Sequence, residues 1–297
     1  MIDSLARMQA MLDCSPEQWL EETRQLWEPM RGMYFFIPGG PDWTVVHSQN
    51  LGFSQGAPRQ QIINALGKLK DADAWNRVNR ALSQGILDLA TANPHILIPD
   101  LTVLLVLGDP TNQHFMDEIR GLSAFGGISG YIVITVWPTD EVLGRLEAIA
   151  LHELHHNVRY SPHGVVWDPQ TVTVAEHVIA EGLADLFAVQ SYGQRGYTHF
   201  VTDQTRSSND VLRRVTEGLD VTGMQDFVAW VLGDATARLY GLQPVGLPTG
   251  AGYAAGTRIV QAYLDATCRT AAECVITPAS EVLDIALPRL GLTKHEC

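Results

Sequence analysis

Apolar residues along this chain fall into two kinds of run, and their spacing sets the elements to expect. Leu101–Leu107 and Tyr131–Trp137 are nearly unbroken apolar stretches, each bounded by proline or glycine, which reads as two buried strands. Val142, Leu146, Ile149, Ala150 and Leu154 recur instead at helical spacing, predicting a helix from about 140 to 159 with Thr139 as N-cap and Ser161-Pro162 as the stop. Val174, Val178, Leu183 and Phe187 define the apolar face of a following helix.

The flanking regions are mainly helical in pattern. Ser15-Pro16-Glu17-Gln18 combines a cap, a first-turn proline and a capping-box glutamine, opening a helix toward Met30. Asp71 or Asp73 can cap another through Val78, Leu82, Ile86 and Leu89 to about Thr91. Beyond residue 200, Asp210–Leu219, Gln225–Leu232, Gly252–Ala266 and Ser280–Leu287 read as helices, and Thr270-Ala271-Ala272-Glu273 fits a capping box. The stretch Gly241 through Ala251, punctuated by Pro244, Gly246, Pro248 and Gly250, reads as a loop able to rim a cleft. The expected fold is α+β and mainly helical, with a small mixed sheet over a central helix. An N-terminal helical region covers 1–98 and a catalytic region 99–297.

Composition narrows the function. A formal charge of −13 over 297 residues repels phosphate backbones and anionic lipid, so neither nucleic acid nor a membrane is an expected partner. The apolar runs are too short to span a bilayer, and Met1-Ile2-Asp3-Ser4-Leu5-Ala6-Arg7 is no secretory signal, which points to the cytoplasm. Cys14, Cys268, Cys274 and Cys297 form no C-x-x-C pair; free thiols are expected, although Cys268 and Cys274 could be joined by a short loop in an oxidising setting. The tail His295-Glu296-Cys297 reads as a frayed terminus.

Chemistry enters at His152-Glu153-Leu154-His155-His156, an H-E-x-x-H pattern on the helix expected over 140–159. Positions i and i+4 lie roughly 40° apart around a helix, so the imidazoles of His152 and His156 can reach one tetrahedral ion, while Glu153 stands beside them as a base for an attacking water. His155 is turned about 100° from His156, which suits a supporting or structural role.

A third ligand is required, and the next helix offers Glu176 and Glu181. Five residues of separation put these on nearly opposite faces, so both cannot serve. Asp185 lies one turn from Glu181 and can accept the free ring N–H of a liganding histidine, whereas Ala180 occupies the equivalent place after Glu176. Glu181 is therefore the expected ligand, Asp185 its companion, and Glu176 and His177 a solvated helix edge.

The run from His152 to His156 followed by Glu181-Gly182-Leu183-Ala184-Asp185 resembles the gluzincin arrangement of thermolysin-type metallopeptidases. More closely, the chain resembles the YjaZ-like family of predicted Zn-dependent proteases, with Gly252-Tyr253-Ala254-Ala255-Gly256-Thr257-Arg258 adding to the likeness. The likeness spans roughly residues 100 to 290. It implies a zincin-like fold, a bound Zn²⁺ and a peptide or protein substrate, or a small amide. Two departures stand out: Ala180 replaces the asparagine that precedes the ligand glutamate in thermolysin-like enzymes, and no later segment clearly reproduces their transition-state histidine. Tyr253 first and Arg258 second are the candidates to stabilise an oxyanion, with His163 and His199 behind them. The resemblance also implies an edge strand beside the active-site helix, a place suggested by the strand before residue 138; Gly126, Gly127 and Gly130 could permit close approach there. Two rival readings remain: a zincin scaffold acting on a non-peptide substrate, and a metal-binding protein without catalysis.

Overall fold

The structure, a computed structural model, describes residues 1–223 and 226–292. It is an α+β, mainly helical protein with one small mixed sheet. Chain contacts divide it into two compact units, one of Met1–Ile86 with Ile98–Asn157 and the other of Leu87–Leu97 with the residues from Val158 onward.

The first unit opens with helices α1 (Ser4–Asp13), α2 (Trp19–Trp27), α3 (Trp43–Gln49), α4 (Arg59–Asp71) and the part of α5 (Ala74–Ala92) up to Ile86. Strands β1 (Thr102–Leu107), β2 (Leu122–Ile128) and β3 (Tyr131–Val136) follow, then the short α6 (Asp140–Leu143) and α7 (Leu146–Arg159). The two strands expected from unbroken apolar runs are β1 and β3, and both are buried over nearly their whole length. They pair in parallel, with Leu104 opposite Val133, and β2 pairs antiparallel with β3 on its other side. The strand preceding α6 and α7 is thus the centre of the sheet, not its edge. The edges are β1 and β2, and the Leu-Ser-Ala-Phe-Gly-Gly-Ile sequence of β2 carries too few apolar residues to announce a strand.

Local capping accounts for several boundaries. Thr139 accepts the amide of Val142 as expected, but the helix expected over 140–159 is broken at Gly144 and resumes at Leu146. Ser15 and Gln18 do pair, the amide of residue 15 donating to the glutamine side chain, yet α2 begins only at Trp19 and passes into a 3-10 helix after Trp27. α5 packs on α7 through Gly85, where any side chain would collide with Leu151 and Leu154.

His47 shows what this core demands of a polar group. It is buried among Trp19, Trp27 and Phe53; its Nδ1 accepts from the Trp27 indole at 3.0 Å, and its Nε2 meets the Phe53 carbonyl at 2.9 Å, so the ring is neutral with its proton on Nε2. Burial outweighs the Phe53 carbonyl and the charge of Asp109, lowering its pKa from 6.5 to about 4. Below pH 6.5 the unfolded chain takes a proton that the folded ring refuses, so stability falls as pH drops toward 4 and this loss then levels off. The full effect is about 3 kcal/mol. Urea titrations across that range should show the pH-dependent loss shrink by about this amount in His47→Gln; an unchanged slope would place the sensitivity elsewhere.

The second unit contains α8 (Val174–Tyr192), α9 (Asp203–Ser207), α10 (Asn209–Thr216), α11 (Phe227–Val231), α12 (Asp234–Leu239), α13 (Ala251–Thr267) and α14 (Ala279–Arg289). Its centre is the packing of α13 on α8. A Cβ on Gly182 or Gly256 would strike the backbone of the other helix, so the small residues of the Gly-Tyr segment serve close helix contact. The Thr270–Glu273 box forms reciprocally but stabilises a turn rather than a helix. Cys14, Cys268 and Cys274 are free thiols. Gln225, at the start of one expected helix, and His295, Glu296 and Cys297 lie outside the described residues. Among the described residues, no helix is long and apolar enough to cross a membrane.

Candidate metal centre

α7 is unusual in burying its polar residues. Ala150, Leu151, Leu154 and Val158 are inaccessible or nearly so, as the helical periodicity requires, but His152, Glu153, His155, His156, Asn157 and Arg159 are buried as well. Buried polar groups persist only when each is given a partner or a task.

For the two histidines the geometry is specific. Their Nε2 atoms stand 3.0 Å apart, with the rings 4.7 Å between centroids and steeply inclined. Two imidazoles on one tetrahedral zinc ion would hold their nitrogens about 3.3 Å apart. One turn of helix thus already brings the Nε2 atoms close to ligand spacing. His152, His156 and Glu181 each offer a ligand atom, and these atoms all lie within 4.8 Å of one another. Two neutral imidazoles and a carboxylate suit a divalent ion of zinc's character and leave a position for a further ligand, so the residues present fit the metal.

α8 carries Glu181 and, one turn on, Asp185. Glu181 is half-buried and Asp185 fully so. The carboxylate of Asp185 accepts the amide and hydroxyl of Thr198, at 3.2 and 2.8 Å, and so secures the segment that carries His199. His199 is buried and edge-on to Phe200, whose ring meets Tyr253 at 5.5 Å. Tyr253 therefore sits half-buried in the first turn of α13, in an aromatic row with His199. Arg258, one turn further along, is committed to the α9–α10 junction: its guanidinium donates to the carbonyls of Ser207 and Ser208 and to the side chain of Asn209. His163 occupies a left-handed backbone position in the loop after α7.

Glu176 is not on a solvated edge. Thr173 caps α8 by accepting the Glu176 amide, and the Glu176 carboxylate turns inward to form a two-pronged pair with Arg159, at 2.7 and 2.8 Å. Arg159 is wholly buried and donates its remaining nitrogen to the carbonyls of Val275 and Thr277. Burial alone would lower its pKa, but the charge and hydrogen bonds of Glu176 raise it. Tyr160 donates to the same carboxylate at 3.1 Å, and burial followed by the charge of Glu176 pushes its hydroxyl far above the usual tyrosine range. The adjacent His177 is half-buried and stacked on Phe227. Nothing local marks Glu176 for this pairing, because its partner stands 17 residues earlier on another helix. Arg159 and Asn157 were equally silent in sequence; the available signal was a charged and an amide residue continuing a helix whose neighbours were all to be buried.

These features define a class: a mainly helical α+β protein whose central H-E-x-x-H helix and a glutamate of the next helix make a possible single-ion metal centre. The chain belongs to the family described as predicted Zn-dependent protease (DUF2268), whose model matches residues 78–284. It is 29% identical over 254 residues to the uncharacterized protein YjfC of Bacillus subtilis (strain 168), covering 83% of this chain and 81% of that protein. No solved structure matches.

Proposed function

We propose that this protein is a zinc-dependent metallopeptidase with a zincin-like catalytic region, acting on a peptide or protein. The observation that supports it most is the convergence of the His152 and His156 Nε2 atoms, 3.0 Å apart, with a carboxylate oxygen of Glu181 in the same group. These three residues hold the ion. Zinc, when bound, supplies Lewis-acid polarisation of a carbonyl and makes water more acidic.

Glu153 follows His152 directly on α7 and is buried to the same degree, placing a base largely out of bulk solvent. It takes the proton of the attacking water and returns it to the leaving amine, so one carboxylate serves both halves of the reaction. Asp185 orients a ligand histidine while holding the Thr198 segment. Tyr253 donates its hydroxyl to the developing oxyanion. Arg258 is given no part in this, because its guanidinium is already spent on the α9–α10 carbonyls.

The test compares zinc-loaded protein with chelator-treated protein on casein and on a peptide library. Cleavage that is lost on chelation and restored by zinc supports the reading, as does loss of bound zinc in His156→Ala and Glu181→Gln. A protein that takes up no zinc defeats it. One that binds zinc and cleaves only small non-peptide amides would transfer the chemistry to a different substrate class.

A further inference from the structure

Asn157 directly follows the second histidine of the motif, is completely buried, and has no part in the chemistry described above. Its carboxamide nitrogen stands 2.9, 3.0 and 2.8 Å from the carbonyls of Gly126, Ile128 and Tyr131, two N–H groups being shared among the three, and its oxygen accepts the amide of Gly130 at 2.7 Å. All four groups belong to the β2–β3 hairpin at the end where its pairing slips between Phe125 and Ile128. Such an irregularity leaves backbone groups without ladder partners, and buried ones must find them elsewhere. One side chain of α7 supplies them.

The same stretch of β2 meets α7 a second time. Gly126 lies so close to Glu153 that a methyl group there would collide with the Glu153 carbonyl. Glu153 and Asn157 are four residues apart and share one row of the helix, while His152 and His156 share the adjoining row, about 100° round. The edge strand is therefore keyed to the row that carries the base, at both ends of a single turn.

We propose that Asn157 is a positioning residue: by fixing the Gly126–Gly130 segment against α7 at Glu153, it sets the backbone wall beside the base without touching the metal ligands. The proposal rests on Glu153 acting as that base. Since the His152–His156 row is separate, loss of the clamp should leave zinc affinity intact and fall on turnover. A displacement of the order of 1 Å at reacting groups costs about 100-fold.

The experiment uses the full chain and two variants that loosen the same contact from opposite sides. Asn157→Ala removes the clamp, and Gly126→Ala leaves Asn157 in place while forcing the strand off the helix. Zinc affinity is measured by competition with a chromophoric chelator, kcat and KM on a cleaved peptide, and deuterium exchange over residues 122–131. The expected result is faster exchange, unchanged zinc affinity and a kcat about 100-fold lower with little change in KM. Should Asn157→Ala fail to fold, Gly126→Ala carries the test. A folded variant with loosened exchange and normal kcat overturns the proposal, and so does a parallel fall in zinc affinity, which would mean that the clamp merely supports α7. A wild-type protein that binds zinc but cleaves no peptide defeats the peptidase reading instead; exchange over 122–131 then still decides whether Asn157 holds the hairpin.

Discussion

Replacing Glu153 by glutamine is expected to lower kcat for peptide hydrolysis by about 10²–10⁴-fold while leaving zinc binding and thermal stability close to those of the parent protein. Glutamine keeps the size and hydrogen-bonding reach of glutamate but cannot accept a proton at neutral pH, so the change removes the base and little else. His152 and His156 keep their 3.0 Å approach, because that spacing is set by one turn of α7 and not by Glu153. The measurements are zinc content by atomic absorption, melting by circular dichroism and initial rates on the best peptide from the library. Rates within a few-fold of the parent, at full zinc occupancy, would remove Glu153 from the mechanism. The non-catalytic reading of this site would then gain its first support.

The second large effect concerns stability. Glu176→Gln should destabilise the protein by about 3–5 kcal/mol, since it leaves the wholly buried Arg159 guanidinium facing a neutral amide. The same change also weakens the acceptor of the Tyr160 hydroxyl. Removing both charges tells whether the pair itself stabilises or only its rupture costs. In Arg159→Met with Glu176→Leu, apolar groups of similar volume replace the pair and part of the loss should be recovered, the remainder reflecting the Val275 and Thr277 carbonyls and the Tyr160 hydroxyl, which lose these partners. Urea titration of Arg159→Met, Glu176→Leu and the double variant gives the coupling directly. If Glu176→Gln costs under about 1 kcal/mol, the pair behaves as a surface ion pair and its burial has been misjudged. Arg159 ends α7 and Glu176 lies in the first turn of α8, so the pair ties the last residue of one helix to the start of the next.

Comparison of Glu176 with Glu181 shows how far the chain could be read residue by residue. Rotation around a helix separates them correctly into two faces, and the acidic residue one turn on picked out Glu181. The inference that the other face was solvated did not follow, because a helix in a packed protein can be buried all round. α8 is such a helix, and Glu176 is buried on a partner that no local pattern could name. β2 was missed for a related reason. An edge strand needs apolar residues on one face only, and here two of its seven positions are glycines, Gly126 required by contact with Glu153 of α7, so its composition resembles a turn.

Periodicity and spacing alone determined that β1 and β3 are buried strands, that α7 and α8 are helices, and that His152 and His156 share a face with Glu153 beside them. Each of these depends on residues within a turn or a strand of one another, and backbone geometry fixes such relations wherever the segment goes. The tertiary structure alone decided that β2 completes the sheet, that Gly126 lies on Glu153, that Asn157 holds the hairpin and that Arg159 takes Glu176. The last three of these contacts join positions 17 to 31 residues apart. They exist because buried polar and backbone groups must be satisfied by whatever the packed chain brings near, and that choice is made only when the core closes.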